Sequence, residues 1–111
     1  MIGEFKNANK TAVGNSFTTV YTAPADGAYI LQLLLANVDA SGIQVSARIH
    51  DDSASIDTYL FKDVPIPNGS SLSVLDNQKV VLEEDDYLEV KCETTSKTVD
   101  VICSLVANIN S

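Results

Sequence analysis

The clearest pattern of apolar and polar positions lies at residues 43–51, "IQVSARIHD", where Ile43, Val45, Ala47 and Ile49 alternate with Gln44, Ser46, Arg48 and His50. A period of two describes a strand with one buried and one wet face. Similar runs recur along the chain, separated by turn residues every eight to twelve positions or so, which is the signature of an all-β fold. The predicted strands cover residues 10–13, 16–23, 28–38, 43–51, 56–66, 71–75, 79–83, 86–93 and 98–108. "YILQLLLANV" is the one run compatible with a helix, but "PADG" precedes it and "DASG" follows it. Both are turn sequences, so the run reads as a buried central strand. Pro65 and Pro67 make the end of 56–66 an edge or an exit. Eight or nine antiparallel strands close their apolar faces by stacking two sheets. The expected architecture is a β-sandwich of jelly-roll or immunoglobulin-like kind, with a small barrel as the alternative. The expected organisation is one sandwich domain over residues 16–111, with residues 1–15 supplying an N-terminal arm and first strand. Residues 1–10 read equally as an arm that docks on a neighbouring subunit or as a frayed terminus.

With 111 residues the chain is the size of one domain, and 45% apolar content is enough for a packed core. Fifteen acidic residues against seven basic ones give a formal charge of −8. The bases are scattered, which argues against a nucleic-acid partner. "MIGEFKNANK" lacks the apolar core of a signal peptide, and no run approaches the length of a membrane-spanning helix, so no membrane role is expected.

Candidate chemistry is sparse. Glu83, Glu84, Asp85 and Asp86 are consecutive, whereas calcium loops place ligands at alternate positions around a Gly. They read as an acidic turn whose carboxylates fan into solvent. His50 is the only histidine and sits beside Asp51 and Asp52, but a metal site needs further His or Cys, and no "G-x-S-x-G" elbow accompanies it. It reads as a solvated residue. Cys92 and Cys103 flank "TSKT", which predicts a hairpin with both thiols toward the core. Two small buried hydrophobes are the plainer reading and a disulfide the sharper one. Asn9 and Asn68 begin chance glycosylation sequons. No catalytic, cofactor-binding or metal residue is assigned.

Four segments in order, "VYTAPADGAYILQLLLANV" (20–38), "YLFKDVPIPNGSSLSVL" (59–75), "KVVLEEDDYLEVKC" (79–92) and "VDVICSLV" (99–106), resemble a set of small tailed-bacteriophage virion proteins. Their shared pattern includes a "YT-x-P" entry, an apolar strand ending in Asn, "DVPIP-x-GSSL" and a "K-x-VLE-x-GD-x-L-x-V" hairpin. Asp85 stands where that pattern has Gly. The resemblance implies a β-sandwich virion component without enzymatic activity, assembled in the host cytoplasm. Its partners would be copies of itself, as a trimer or hexamer, and a major capsid, neck or tail protein. Head decoration or cementing is favoured over the neck or tail. A carbohydrate-binding fibre module is a further reading, weakened by the absence of Trp and the dispersal of Tyr21, Tyr29, Tyr59 and Tyr87. A cupin-like enzyme would need several histidines around a metal.

Overall fold

A computed structural model describes residues 3–74 and 79–110. Among the described residues nine strands form two antiparallel sheets and no helix occurs. The strands are β1 (Glu4–Val13), β2 (Thr18–Thr22), β3 (Ala28–Ala36), β4 (Ile43–Asp51), β5 (Ile56–Ile66), β6 (Ser71–Val74), β7 (Val80–Leu82), β8 (Tyr87–Cys92) and β9 (Val99–Ala107). The sixth predicted strand extended to Leu75, which lies outside the described residues.

Sheet A has the order β1-β9-β3-β6, with β7 also paired to β3; sheet B has the order β2-β8-β4-β5. Ser71–Val74 pairs with the second half of β3 and Val80–Leu82 with its first half, both antiparallel. They share one strand position beside β3, with Val74 opposite Leu33 and Val80 opposite Ile30. Counted so, eight positions divide as 1-8-3-6 and 2-7-4-5, the double Greek key of a jelly roll.

The pleat explains the core. Ile30, Leu33 and Leu35 from β3, and Val99, Cys103 and Leu105 from β9, point inward from sheet A. Val45, Ala47, Leu88, Val90 and Cys92 meet them from sheet B, and all are buried. Each such aliphatic side chain contributes about 1.5–3 kcal/mol on leaving water. The run "YILQLLLANV" is indeed a central strand, with β9 on one side and β6 and β7 on the other.

The predicted Cys92–Cys103 hairpin does not form. Strands β8 and β9 belong to different sheets, so the intervening turn carries the chain across the sandwich. Alternation alone cannot distinguish these cases, because both strands place the same face inward. Both cysteines are buried and unpaired. Burial raises the Cys92 thiol pKa and pushes that of Cys103 up to about 12.

Small polar residues fasten the loops. Buried Asn37 donates its side-chain amide to the carbonyls of Ser41 and Ile66, 2.9 Å each, and its oxygen accepts from the Asp39 N–H at 2.9 Å. Asn15 donates to the Cys92 and Glu93 carbonyls at 2.9 and 3.0 Å. Gly27 closes the "PADG" turn in the left-handed region at φ 74, where its N–H donates to the Pro24 carbonyl at 2.9 Å.

Candidate interaction surfaces

Three surfaces carry the polar and exposed apolar groups. The first is the end of the sandwich formed by the β2–β3, β4–β5 and β7–β8 connections. Asp85 adopts φ 68, the left-handed backbone that the Gly of the virion-protein pattern would supply. Asp86 departs from the expectation that all four carboxylates fan into solvent. It is buried, and its carboxylate accepts from the N–H groups of Asp52 and Glu83 at 3.0 Å each. Its backbone N–H donates to the Glu83 carbonyl at 3.0 Å, and its own carbonyl accepts from Ala23 at 2.9 Å. Asp86 therefore ties three loops together. Its neighbours Glu83, Glu84 and Asp85 remain exposed and line a groove of about 460 Å3 with Asp52 and Asn110. Among the described residues, no group of three or more His, Cys, Asp or Glu side chains is placed to hold a metal ion.

Charge is concentrated at this end. Asp26, Asp51, Asp52, Glu83, Glu84, Asp85 and Asp86 are seven of the fifteen acids in the chain, and no Lys or Arg lies in these connections. The other eight acids nearly match the seven bases in number, so these connections hold most of the excess negative charge.

The second surface is the outward face of sheet B. The register places Arg48 opposite Glu89, His50 opposite Tyr87 and Ser46 opposite Lys91. The Arg48 guanidinium donates to Glu89 Oε1 at 2.5 Å and lies 3.7 Å from Asp57 Oδ2. It also covers the Phe17 ring at 3.7 Å, and that ring meets Tyr59 edge-on at 6.1 Å. His50 is held by Asp57 at 2.7 Å and stacks on Tyr87 with 4.7 Å between centroids. This pinned environment differs from the freely solvated one expected, because Asp57 on β5 was not visible as its partner. Ser46 is fully buried rather than wet: a bulge in β5, with Asp63 at φ 55, covers it. Its hydroxyl donates to Glu93 at 2.6 Å and accepts from the Asp63 N–H at 3.0 Å. The Ser46 hydroxyl first, and then Lys91, hold the Glu93 carboxyl below the usual glutamate range. The face spends its charges on one another.

The third surface is the outward face of sheet A. Alternation with the buried set turns Tyr29, Leu34 and Ala36 of β3 outward, and with them Ile102 and Ser104 of β9. Phe5, Asn7 and Asn9 share this face through their β9 partners Val106, Ser104 and Ile102, and Val81 shares it through Tyr29. Phe5 is 82% exposed, Val81 61% and Ile102 38%. Asp100 is the one charged residue among these outward strand positions. Lys79 adds a cation over the Tyr29 ring, 5.3 Å from its centre. None of this face was picked out from the sequence, where its residues are scattered over four strands. The four tyrosines form no common platform. Tyr29 lies on this face, Tyr59 and Tyr87 lie on the opposite one, and burial raises the pKa of half-buried Tyr21.

No protein-family model matches the chain, and no curated protein matches it either. Solved structures do. One is described as the acidic stable capsid structure of Helicobacter pylori bacteriophage KHP30. It has a TM-score of 0.61 at 12% identity, over 96% of this chain and 88% of that one. Another is described as Bacillus endospore appendages that form a family of disulfide-linked pili. It has a TM-score of 0.56 at 14% identity, over 95% of this chain and 84% of that one. At these identities the likeness is one of fold: the chain shares its sandwich with subunits of a phage capsid and of a pilus.

Proposed function

We propose that this chain is a non-enzymatic structural subunit of a tailed-phage virion. It would act as a capsid decoration or cement protein that binds the major capsid lattice. In this reading residues 16–111 are the single sandwich domain and residues 1–15 an arm and first strand. The observation that carries the proposal is the outward face of sheet A. It is weakly charged and bears Phe5, Val81 and Ile102 in the open, on a molecule with at least seven of its fifteen acids at one end. Exposed apolar groups rimmed by polar ones mark protein contact surfaces. The likeness to a phage capsid structure over nearly the whole chain supports the same reading. The function is mechanical: weak contacts repeated over a lattice add up through multivalency.

The test is to mix purified protein with virions stripped of it and to sediment the particles. Saturable binding to heads, reduced by Ile102→Asp and Val81→Asp, is the expected result. Protein that stays in the supernatant with heads but pellets with tails would move the chain to the neck or tail. Protein that pellets with neither would overturn the virion role.

A further inference from the structure

We infer that two copies of this chain join edge to edge through β1, antiparallel about a two-fold axis at Asn7, and so extend sheet A across the pair. Strand β1 is ten residues long and ends sheet A. One side of it is hydrogen-bonded to β9; among the described residues no strand pairs along the other. Nine of its ten residues are exposed or half-buried. A long, flat edge invites another strand, and proteins that remain apart usually shorten it, twist it, interrupt it with proline or load it with charge, especially Lys. Strand β1 carries Lys6 and Lys10, but with Glu4 of opposite sign on the same strand. The other edges carry such devices. Strand β5 has bulges and Pro65, and the register of β6 and β7 along β3 jumps, with Val74 opposite Leu33 but Val80 opposite Ile30. The β1–β9 register, by contrast, runs without a shift from Glu4 to Lys10, and its irregularity begins only beyond Lys10.

The regular stretch is symmetric about Asn7, and so is its chemistry. An antiparallel pair centred there sets Glu4 opposite the second copy's Lys10, and Lys10 opposite its Glu4. Phe5 meets Asn9, Lys6 meets Ala8, and Asn7 meets itself. No like charges face one another, and two opposite-charge cross-strand pairs form. Within one copy Glu4 is ion-paired with the exposed Lys6 at 3.5 Å. The partner residues have the same parity, so both sandwiches stay on the same side of the joined sheet. Direction matters as well. Glu4 lies at the acidic end, because its partner Ala107 is also the partner of Ala28 beside Leu82. Antiparallel pairing therefore sends the two acidic ends to opposite extremes of the dimer, whereas parallel pairing would set them side by side.

The test uses the full chain without particles, so it stands or falls separately from binding to heads. Mass is measured by sedimentation up to on the order of 1 mM, the effective concentration a lattice supplies. A dimer is expected. Glu4→Lys and Lys10→Glu each replace both attractive pairs with repulsive ones and should weaken it about tenfold. Combining Glu4→Lys with Lys10→Glu restores the pairs with their signs exchanged and should recover the dimer. Directly opposed strand residues lie about 4.5–5.5 Å apart, within disulfide reach. Oxidised Asn7→Cys should therefore form a covalent dimer, whereas Asn9→Cys, placed opposite Phe5, should not. A chain that stays monomeric throughout, a double variant no better than its parents, or equal cross-linking at positions 7 and 9 would each overturn the inference.

Discussion

The two outward faces of the sandwich are built from antiparallel strands of the same pleat, yet they spend their side chains differently. On sheet B, Arg48, Glu89, Asp57 and His50 form a continuous chain of contacts over Phe17, Tyr59 and Tyr87. Almost every charge there has its partner within the same molecule. Sheet A pairs its outward polar groups in the same way, Ser104 with Asn7 at 2.9 Å and Gln32 with Ser73, but leaves Phe5, Val81 and Ile102 in the open. A face whose charges pair stabilises the subunit. A face that exposes apolar side chains is available for neighbours. The sandwich thus separates stability from association, one sheet for each.

That contrast can be broken most sharply at Arg48. Arg48→Ala leaves Glu89, only 7% exposed, without its cation and strips the cover from Phe17. The expected loss is about 2–3 kcal/mol of unfolding free energy, read by denaturant titration. Ser46→Ala comes next. It leaves the Asp63 N–H without an acceptor under the bulge and should cost about 1–2 kcal/mol. It should also alter the acid limb. Glu93 has a depressed pKa in the folded state, so it contributes stability above its unfolded pKa, and that contribution is lost as pH falls through the folded value. Without the Ser46 hydroxyl that depression shrinks, and acid unfolding should begin at higher pH.

Asp85→Gly tests the end that joins the faces. It relieves a left-handed backbone and removes one of four adjacent acids, so it should raise stability by about 0.5–1 kcal/mol. The smallest effect belongs to sheet A. Ile102→Thr keeps the β-branched shape at a position 38% exposed and should shift unfolding by less than about 0.5 kcal/mol. If it destabilised as much as Arg48→Ala, the division of labour between the sheets would not hold.

How much of this was legible beforehand follows from where the information lies. Strands β4 and β5 were bounded to the residue, because alternation and turn residues are local. Strand β1 was predicted only from Lys10 onward. Its first six residues offer Phe5 and Ala8 as the sole apolar side chains, so backbone pairing with β9, not burial, makes them a strand. The left-handed turn at Asp85 was readable from the virion-protein pattern, but the burial of Asp86 was not, since its hydrogen-bond donors come partly from Asp52 far away in the chain. The Arg48 network escaped for the same reason: its members come from three strands whose adjacency depends on topology. Sheet membership of β8 and β9 left no trace in their alternation.

The placement of the carboxylates sets a range over which the subunit is felt as acidic. A nine-residue strand separates the two ends of the sandwich by about 30 Å, several times the roughly 8 Å over which physiological salt screens a charge. Groups in the middle of sheet A lie about 15 Å from the tip, roughly two screening lengths, so salt damps most of the pull of its carboxylates. Neighbours approaching sideways meet a nearly neutral wall, while anything approaching the tip meets a dense anionic cap. Lowering the salt lengthens the screening distance, so contacts that set two caps next to each other should loosen in dilute buffer, whereas pairing through β1, which sends the caps to opposite extremes, should not.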